Sequence, residues 1–272
     1  MNLDGKTAFI SGGSRGIGRS IALKLASLGC QIVVTGKSVE EDPRLGGTIY
    51  SVAAEIEQAG SKALAIPCDN RQEEQIQAAI QQAVEHFGGI DILINNASAI
   101  RLNNTQDTPA KAFDLMHQIN VRGTYLVVHH ALPWLKKSNH AHILTLSPPI
   151  NLDPKWLGPH VAYTLSKYSM SVLAMGWAEE FKSVPIASNT LWPKTTIATA
   201  AVKNLLGGEQ LMKMSRWPEI VADATAAIVS KAPDLLTGKA LIDEDILKGE
   251  GISDFTHYAV TPGGSLYPDL FL

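Results

Sequence analysis

The chain has 272 residues, 45% of them hydrophobic and 18% charged, and a net charge of −3. This is the composition of a folded, water-soluble chain long enough for one large domain or two small ones. The near-neutral balance gives no reason to expect nucleic acid or an anionic membrane as the main partner, and no apolar run approaches the roughly 20 residues of a membrane span.

Short apolar runs alternate with longer amphipathic stretches along the chain. Residues 7–10 form the first predicted strand and 20–28 the first helix, with Ile21, Leu25 and Leu28 on one face. A strand over 31–35 leads into 37–47, too long for a minimal strand-to-helix loop and read as a surface insertion. The helix over 48–59 places Ile49, Val52 and Ile56 together, and the one over 73–87 does so with Ile76, Ile80, Val84 and Phe87. Between them lies a strand at 63–67. Gly29, Gly60 and Gly88 stand where these three helices should stop.

Further strands are predicted at 90–95, 142–147, 187–192 and 239–242, and helices at 112–135 and 161–181 that are apolar on more than one face. Residues 249–272 read as a loop-rich tail, with Pro262-Gly263-Gly264 against regular structure. Strands alternating with helices imply an α/β fold with a parallel sheet covered on both faces. Seven strands fit a Rossmann-type doubly wound sheet of order 3-2-1-4-5-6-7. With no linker or repeat in view, residues 1–272 read as a single domain.

Cys30 and Cys68 lie in apolar surroundings, which predicts two buried thiols in a reducing cytosol rather than a disulfide. Neither end carries a targeting signal, so a cytoplasmic protein is expected. The eight histidines suggest no metal site. His129 and His130 are adjacent and cannot share one face of a helix, and His140 and His142 fall at the start of a strand.

Ser11-Gly12-Gly13-Ser14-Arg15-Gly16-Ile17-Gly18 follows the first strand directly. In a doubly wound sheet this turn faces a bound nucleotide. The helix N-terminus offers free N–H groups, and glycine lets a pyrophosphate approach the backbone closely. Gly12, Gly16 and Gly18 have the spacing G-x3-G-x-G, which a plain tight turn would also satisfy. Tyr163 and Lys167 are four apart on a predicted helix, so they share a face, and an ammonium there should lower the phenol pKa. Ser147 ends a strand at the carboxyl edge of the sheet, where ligands bind. No nucleophile elbow surrounds it.

Residues 11–18 resemble the T-G-x3-G-I-G turn of the short-chain dehydrogenase/reductase family, with Ser11 for Thr. Asn95-Asn96-Ala97-Ser98 resembles its N-N-A-G, and Asn120, Ser147, Tyr163 and Lys167 fall where that family has its catalytic tetrad. Residues 45–50, 87–100 and 146–149 are similar to the hydroxysteroid dehydrogenase-like group within it. Some longer members of that group carry a sterol-carrier domain after this one.

The resemblance implies hydride transfer between a nicotinamide and a carbonyl or alcohol carbon. Tyr163 would be the general acid/base, Ser147 would orient the substrate oxygen, and Lys167 would tune Tyr163 and bond the nicotinamide ribose. Asn120 would hold a water leading from Lys167 to solvent. Gly12, Ser14, Arg15, Gly16, Ile17 and Gly18 would hold the pyrophosphate. Asp69 and Asn70 would take the adenine, Asn96 and Ala97 the ribose, and Pro193 and Ile197 the carboxamide. Asn95 is read instead as a tie between strands. The end of the second strand, Thr35-Gly36-Lys37, carries no acid until Glu40. Lys37 and Arg15 can meet a 2′-phosphate, so NADP(H) is expected over NAD(H).

Pro148-Pro149 and Lys194, in place of the family's glycine, depart from the pattern. They leave open a cofactor sensor or scaffold that turns nothing over. A third reading, an epimerase or dehydratase of the extended relatives, lacks the large C-terminal substrate domain. Residues 209–217 fall where a substrate lid belongs, which points to a lipid-like or aromatic small molecule, though ordinary packing explains them equally. The helices over 112–135 and 161–181 imply a homodimer or homotetramer.

Overall fold

A computed structural model describes residues 2–272. Seven strands, β1 (Thr7–Ser11), β2 (Gln31–Gly36), β3 (Ala63–Pro67), β4 (Ile92–Asn95), β5 (Ala141–Leu146), β6 (Ile186–Trp192) and β7 (Ala240–Ile242), join one sheet. Its order is β3-β2-β1-β4-β5-β6-β7, as the alternating pattern predicts, and every pairing is parallel. The chain direction across the sheet reverses between β1 and β4, which opens a crevice at their carboxyl ends.

The helices are α1 (Gly16–Ser27), α2 (Ile49–Gln58), α3 (Glu73–Phe87), α4 (Ala110–Met116), α5 (Thr124–Leu135), α6 (Pro154–Leu157), α7 (Val161–Glu180), α8 (Gly208–Lys213), α9 (Glu219–Val229) and α10 (Asp243–Gly249). Successive strand residues serve opposite faces. Ile10 and Val34 pack with Ile21, Leu25, Ile49 and Ile220 on one side. Phe9 and Val33 pack with Ile76, Ile80, Leu126 and Trp177 on the other. A smaller cluster of Met116, Tyr163, Tyr168, Trp192 and Phe271 lies apart from these two layers.

Gly29, Gly60 and Gly88 stand at φ 90°, 86° and 88°, the left-handed backbone that ends a helix. Thr48 caps α2 with a reciprocal bond to Ser51. Several boundaries differ from the sequence reading. α1 starts four residues earlier than expected, at Gly16. The strand expected from residue 90 begins at Ile92, just after Asp91, whose carboxylate accepts the Thr7 N–H at 2.9 Å. The strand expected to end at Ser147 stops at Leu146, and Ser147 N–H turns back to the Thr145 carbonyl. The helix expected over 112–135 is interrupted by a π-helical turn, His117–Gly123, that seats Gly123 against Asn70.

Residues 37–47 form an irregular loop folded back on the glycine turn, where the Arg15 guanidinium donates to Ser38 Oγ and the Gly47 carbonyl. Beyond α10 the chain has one short 3-10 turn, Thr256–Tyr258, and is otherwise irregular, as expected. The last part of it nevertheless returns to the carboxyl edge of the sheet. Thr196 N–H donates to the Tyr267 carbonyl, Tyr267 N–H to Met214, and Asp269 N–H to Lys194. Both cysteines are free and buried, and burial pushes Cys30 up to about 12 and Cys68 up to about 11. Among the described residues no helix is long and apolar enough to cross a membrane.

Candidate active site

The glycine turn is stitched to the end of β4. The Asn96 side-chain amide donates to the carbonyls of Ser11 (3.1 Å) and Gly12 (2.8 Å). Ser11 Oγ accepts from the backbone of Asn96 and Ala97. Little room is left: a Cβ on Gly12 would sit 2.9 Å from Ala97 Cα, and one on Gly18 would overlap the Gly12 carbonyl and the Asn96 amide. Gly12 also stands at φ 69°. No side chain caps the N-terminus of α1, so its first N–H groups stay free for an anion. Asn95 ties β4 to β5 through Thr145 at 3.3 Å.

The Arg15 guanidinium bonds the side chain of Ser38, the residue after Lys37. Arg15 Nε is buried with no partner, and burial holds the guanidinium below its ordinary value. Lys37 is exposed at the end of β2. Asp69 is engaged by Arg71, whose guanidinium bridges both carboxylate oxygens, and these bonds hold the carboxyl below its usual range. Asn70 is buried beside the π-helical turn.

Of the residues singled out in the sequence, Ile17, Asn96, Tyr163, Lys167, Pro193 and Ile197 line one cavity of about 860 Å³. Its remaining wall is largely apolar: Ile100, Leu102, Leu205, Leu206, Leu211 and Met214. Leu211 and Met214 belong to the segment whose place suggested a lid.

Tyr163 and Lys167 occupy adjacent turns of α7, and both are buried. Lys167 Nζ donates to the Leu146 carbonyl at 2.6 Å and lies 5.2 Å from the centre of the Trp192 ring. Burial pushes Lys167 down to about 7. The expectation that Lys167 lowers the Tyr163 pKa is corrected here. Burial raises that pKa, and the Asp269 charge raises it further. The cause lies in where the ammonium points, toward Leu146 and Trp192 rather than into a pair with the phenol. Tyr163 is therefore held as the neutral phenol.

Ser147 is fully buried and is not among the cavity-lining residues. Its hydroxyl is 3.1 Å from Ser171 Oγ, which also donates to the Pro148 carbonyl at 2.6 Å. Asn120 sits in the π-helical turn, with its side chain spent on Ala99 N–H (2.7 Å), the Ala99 carbonyl (2.9 Å) and Ser166 Oγ (2.9 Å). It clamps the loop after β4 to α7. Lys194 keeps a negative φ despite replacing glycine, and its ammonium pairs with Glu244 at 2.8 Å. His140 and His142 meet the carbonyls of Val229 and Lys231, and burial keeps both rings neutral.

Sequence reasoning missed Ser171, and it missed residues 267–271. Tyr267, Asp269 and Leu270 line the cavity, and the Phe271 ring packs among Tyr163, Tyr168 and Trp192. The run Leu266-Tyr267-Pro268-Asp269-Leu270-Phe271 held the signal: four large apolar side chains in six residues call for burial even in a loop.

The carboxyl edge of the sheet, where a doubly wound fold binds its ligands, carries this cavity with Tyr163 and Lys167 in its wall. Residues 6–209 match the family model described as short chain dehydrogenase, and the chain belongs to that family. It is 56% identical over 270 residues to Hydroxysteroid dehydrogenase-like protein 2 of Xenopus tropicalis, covering 99% of this chain and 64% of that protein. The chain thus spans under two thirds of that relative. A crystal structure of a short chain dehydrogenase from Mycobacterium thermoresistibile superposes with a TM-score of 0.94 at 51% identity, covering 99% of this chain and 96% of that one. A metagenomic short-chain oxidoreductase in complex with NADP has a TM-score of 0.73 at 26% identity, covering 89% and 98%.

Proposed function

We propose that this chain is an NADP(H)-dependent reductase or dehydrogenase of apolar carbonyl and alcohol substrates. The observation that carries the reading is that Tyr163 and Lys167 stand in the wall of the cavity that Ile17 and Asn96 of the glycine turn also line. The turn fits a dinucleotide: its glycines leave space that a Cβ would fill, and the N–H groups of α1 are free. Gly12, Ser14, Gly16, Ile17 and Gly18 would hold the pyrophosphate, and Asp69, Asn70, Asn96 and Ala97 the adenosine. Pro193 and Ile197 would border the nicotinamide. Arg15, with its unpartnered Nε, and Lys37 would take the 2′-phosphate, which favours NADP(H) over NAD(H). The related oxidoreductase seen with NADP agrees with that choice. When bound, the nicotinamide supplies or accepts the hydride.

The chain's own part is positional and electrostatic. In reduction, the neutral Tyr163 phenol donates its proton to the substrate oxygen as charge builds there. Lys167 adds positive charge to the cavity wall that also holds Tyr163. Asn120 fixes the height of α7, and Ser147 orients the substrate oxygen once its bond to Ser171 is exchanged. The apolar wall accepts a lipid-like or aromatic body and excludes water. Val161, Leu165 and Val172 leave an exposed apolar stripe on α7 that suits a second copy of the chain. Cys30 and Cys68, both free and buried, suit a reducing, cytoplasmic setting.

A second reading, a protein that binds NADP(H) without turnover, draws on Ser147 being fully buried and absent from the cavity lining. The test is NADPH oxidation with a panel of aldehydes and ketones from short to long chain. Turnover that falls about 10²–10⁴-fold in Y163F, with NADPH binding retained, supports the reductase. Turnover undiminished in Y163F removes it, and binding with no turnover at all selects the second reading.

A further inference from the structure

We infer that Asp269 is a positioning residue of this site, whose carboxylate supplies the negative charge that keeps the buried Lys167 ammonium protonated. Lys167 is 2% exposed. Its partners are one carbonyl, that of Leu146, and the face of Trp192. Neither carries a formal charge, and a buried ammonium with no counter-charge loses its proton readily. Among the described residues Asp269 is the only carboxylate lining the cavity, and Lys167 is the only cation.

The placement of Asp269 is built rather than incidental. Its N–H donates to the Lys194 carbonyl at 3.2 Å, and its Oδ1 accepts the Leu270 N–H at 2.7 Å. The residue itself stands in the cavity wall with Lys167. One residue on, the Leu270 carbonyl accepts the Trp192 indole N–H at 2.9 Å. Trp192 thus touches both ends of the pair: its ring faces Lys167, and its N–H holds the backbone that carries Asp269. Phe271 locks the segment, buried at φ 75°, a backbone conformation that a phenylalanine adopts only when its surroundings impose it.

The other ionisable groups nearby do not supply the charge. Tyr163, on α7 with Lys167, is neutral. His160, just before α7, is kept neutral by burial. Lys194 is turned away to Glu244, and β5 contributes only Leu146. Asp243, at the start of α10, has its Oδ1 occupied by the N–H groups of Lys194 and Glu244, and it repels charge on Asp269. Burial moves the two partners toward one another, Asp269 up to about 7 and Lys167 down to about 7, and each favours the charged form of the other.

The inference rests on Lys167 being the active-site cation, so it is tested on the cofactor-free full chain. The Lys167 titration is followed by NMR of ¹³Cε-lysine-labelled protein, assigned with K167R. In D269N the Lys167 midpoint should fall by about one pH unit or more, and in D269E it should return toward wild type. An unchanged midpoint in a D269N chain that melts like wild type overturns the assignment. Should D269N not fold, the Asp269 ¹³Cγ titration is compared between wild type and K167Q. A higher Asp269 midpoint in K167Q supports the pair, and an unchanged one refutes it. NADPH titration of the same samples separates the two ideas. Coupled titration without NADPH binding would end the reductase reading and leave the pair standing.

Discussion

The ring of Phe271 stacks on that of Tyr163, with centroids 6.3 Å apart and planes inclined by 30°. Tyr168 and Trp192 pack on the same ring at 5.2 and 6.0 Å. A residue more than a hundred positions from the Tyr-x3-Lys motif therefore packs on the Tyr163 phenol. F271A should lower unfolding free energy by about 3–5 kcal/mol in urea titrations. In the protein that remains folded, kcat should fall more than NADPH affinity. A loss under about 1 kcal/mol would mean that the segment only rests on the site.

Gly18 packs against the Gly12 carbonyl and the Asn96 amide. In G18A the added methyl must push the turn away from Asn96, which otherwise holds two of its carbonyls. NADPH affinity measured by fluorescence should drop at least about tenfold, alongside a stability loss of about 1–3 kcal/mol. Wild-type affinity in G18A would show that the turn does not hold the cofactor.

Ser147 depends on Ser171, whose hydroxyl bridges it to the Pro148 carbonyl. S147A should reduce kcat by about 10²-fold by removing a donor at the substrate oxygen. S171A should reduce it by less, with KM for NADPH unchanged, because Ser147 remains but is no longer held. Equal activity of S147A and wild type would take Ser147 out of the chemistry.

Burial holds His142 at about 3, well below its ordinary 6.5, so the ring stays neutral while it meets the Lys231 carbonyl. A histidine depressed in the folded state contributes its full stability above the unfolded pKa. That contribution is lost as pH falls from 6.5 toward 3, because the unfolded chain gains a proton that the fold refuses. The slope from this residue is about 1.4 kcal/mol per pH unit. Burial depresses His140 and His160 in the same direction, so they add to the loss. H142Q should flatten the dependence of urea unfolding on pH over this window. An unaltered slope would show that His142 protonates freely in the fold.

The sheet order was legible because the strands are short apolar runs alternating with helices, three of which stop at glycines, and a parallel sheet with that alternation has few ways to wind. The glycine turn and the Tyr-x3-Lys pair were legible because their spacing is local. Ser147 as a strand end was read one residue too far, since its N–H turns back to Thr145. The interruption of the long helix by a π-helical turn was invisible, because it accompanies Gly123 packing on Asn70, a contact between distant segments. The raised Tyr163 pKa was missed for a related reason: the i, i+4 spacing fixes the helix face but not where the Lys167 ammonium turns. Asp269 and Phe271 lay in a stretch dismissed as loop, where lack of periodicity hid an apolar segment that completes the cavity wall.

The central claim is that this site binds NADP(H), and the most direct measurement is fluorescence titration of the purified chain with NADPH and with NADH, beside K37A. The account predicts NADPH binding tighter than NADH, and a loss of about 10- to 100-fold for NADPH alone in K37A, the size of one charge-assisted contact. Binding of neither nucleotide would contradict it, and the glycine turn would then be only a turn.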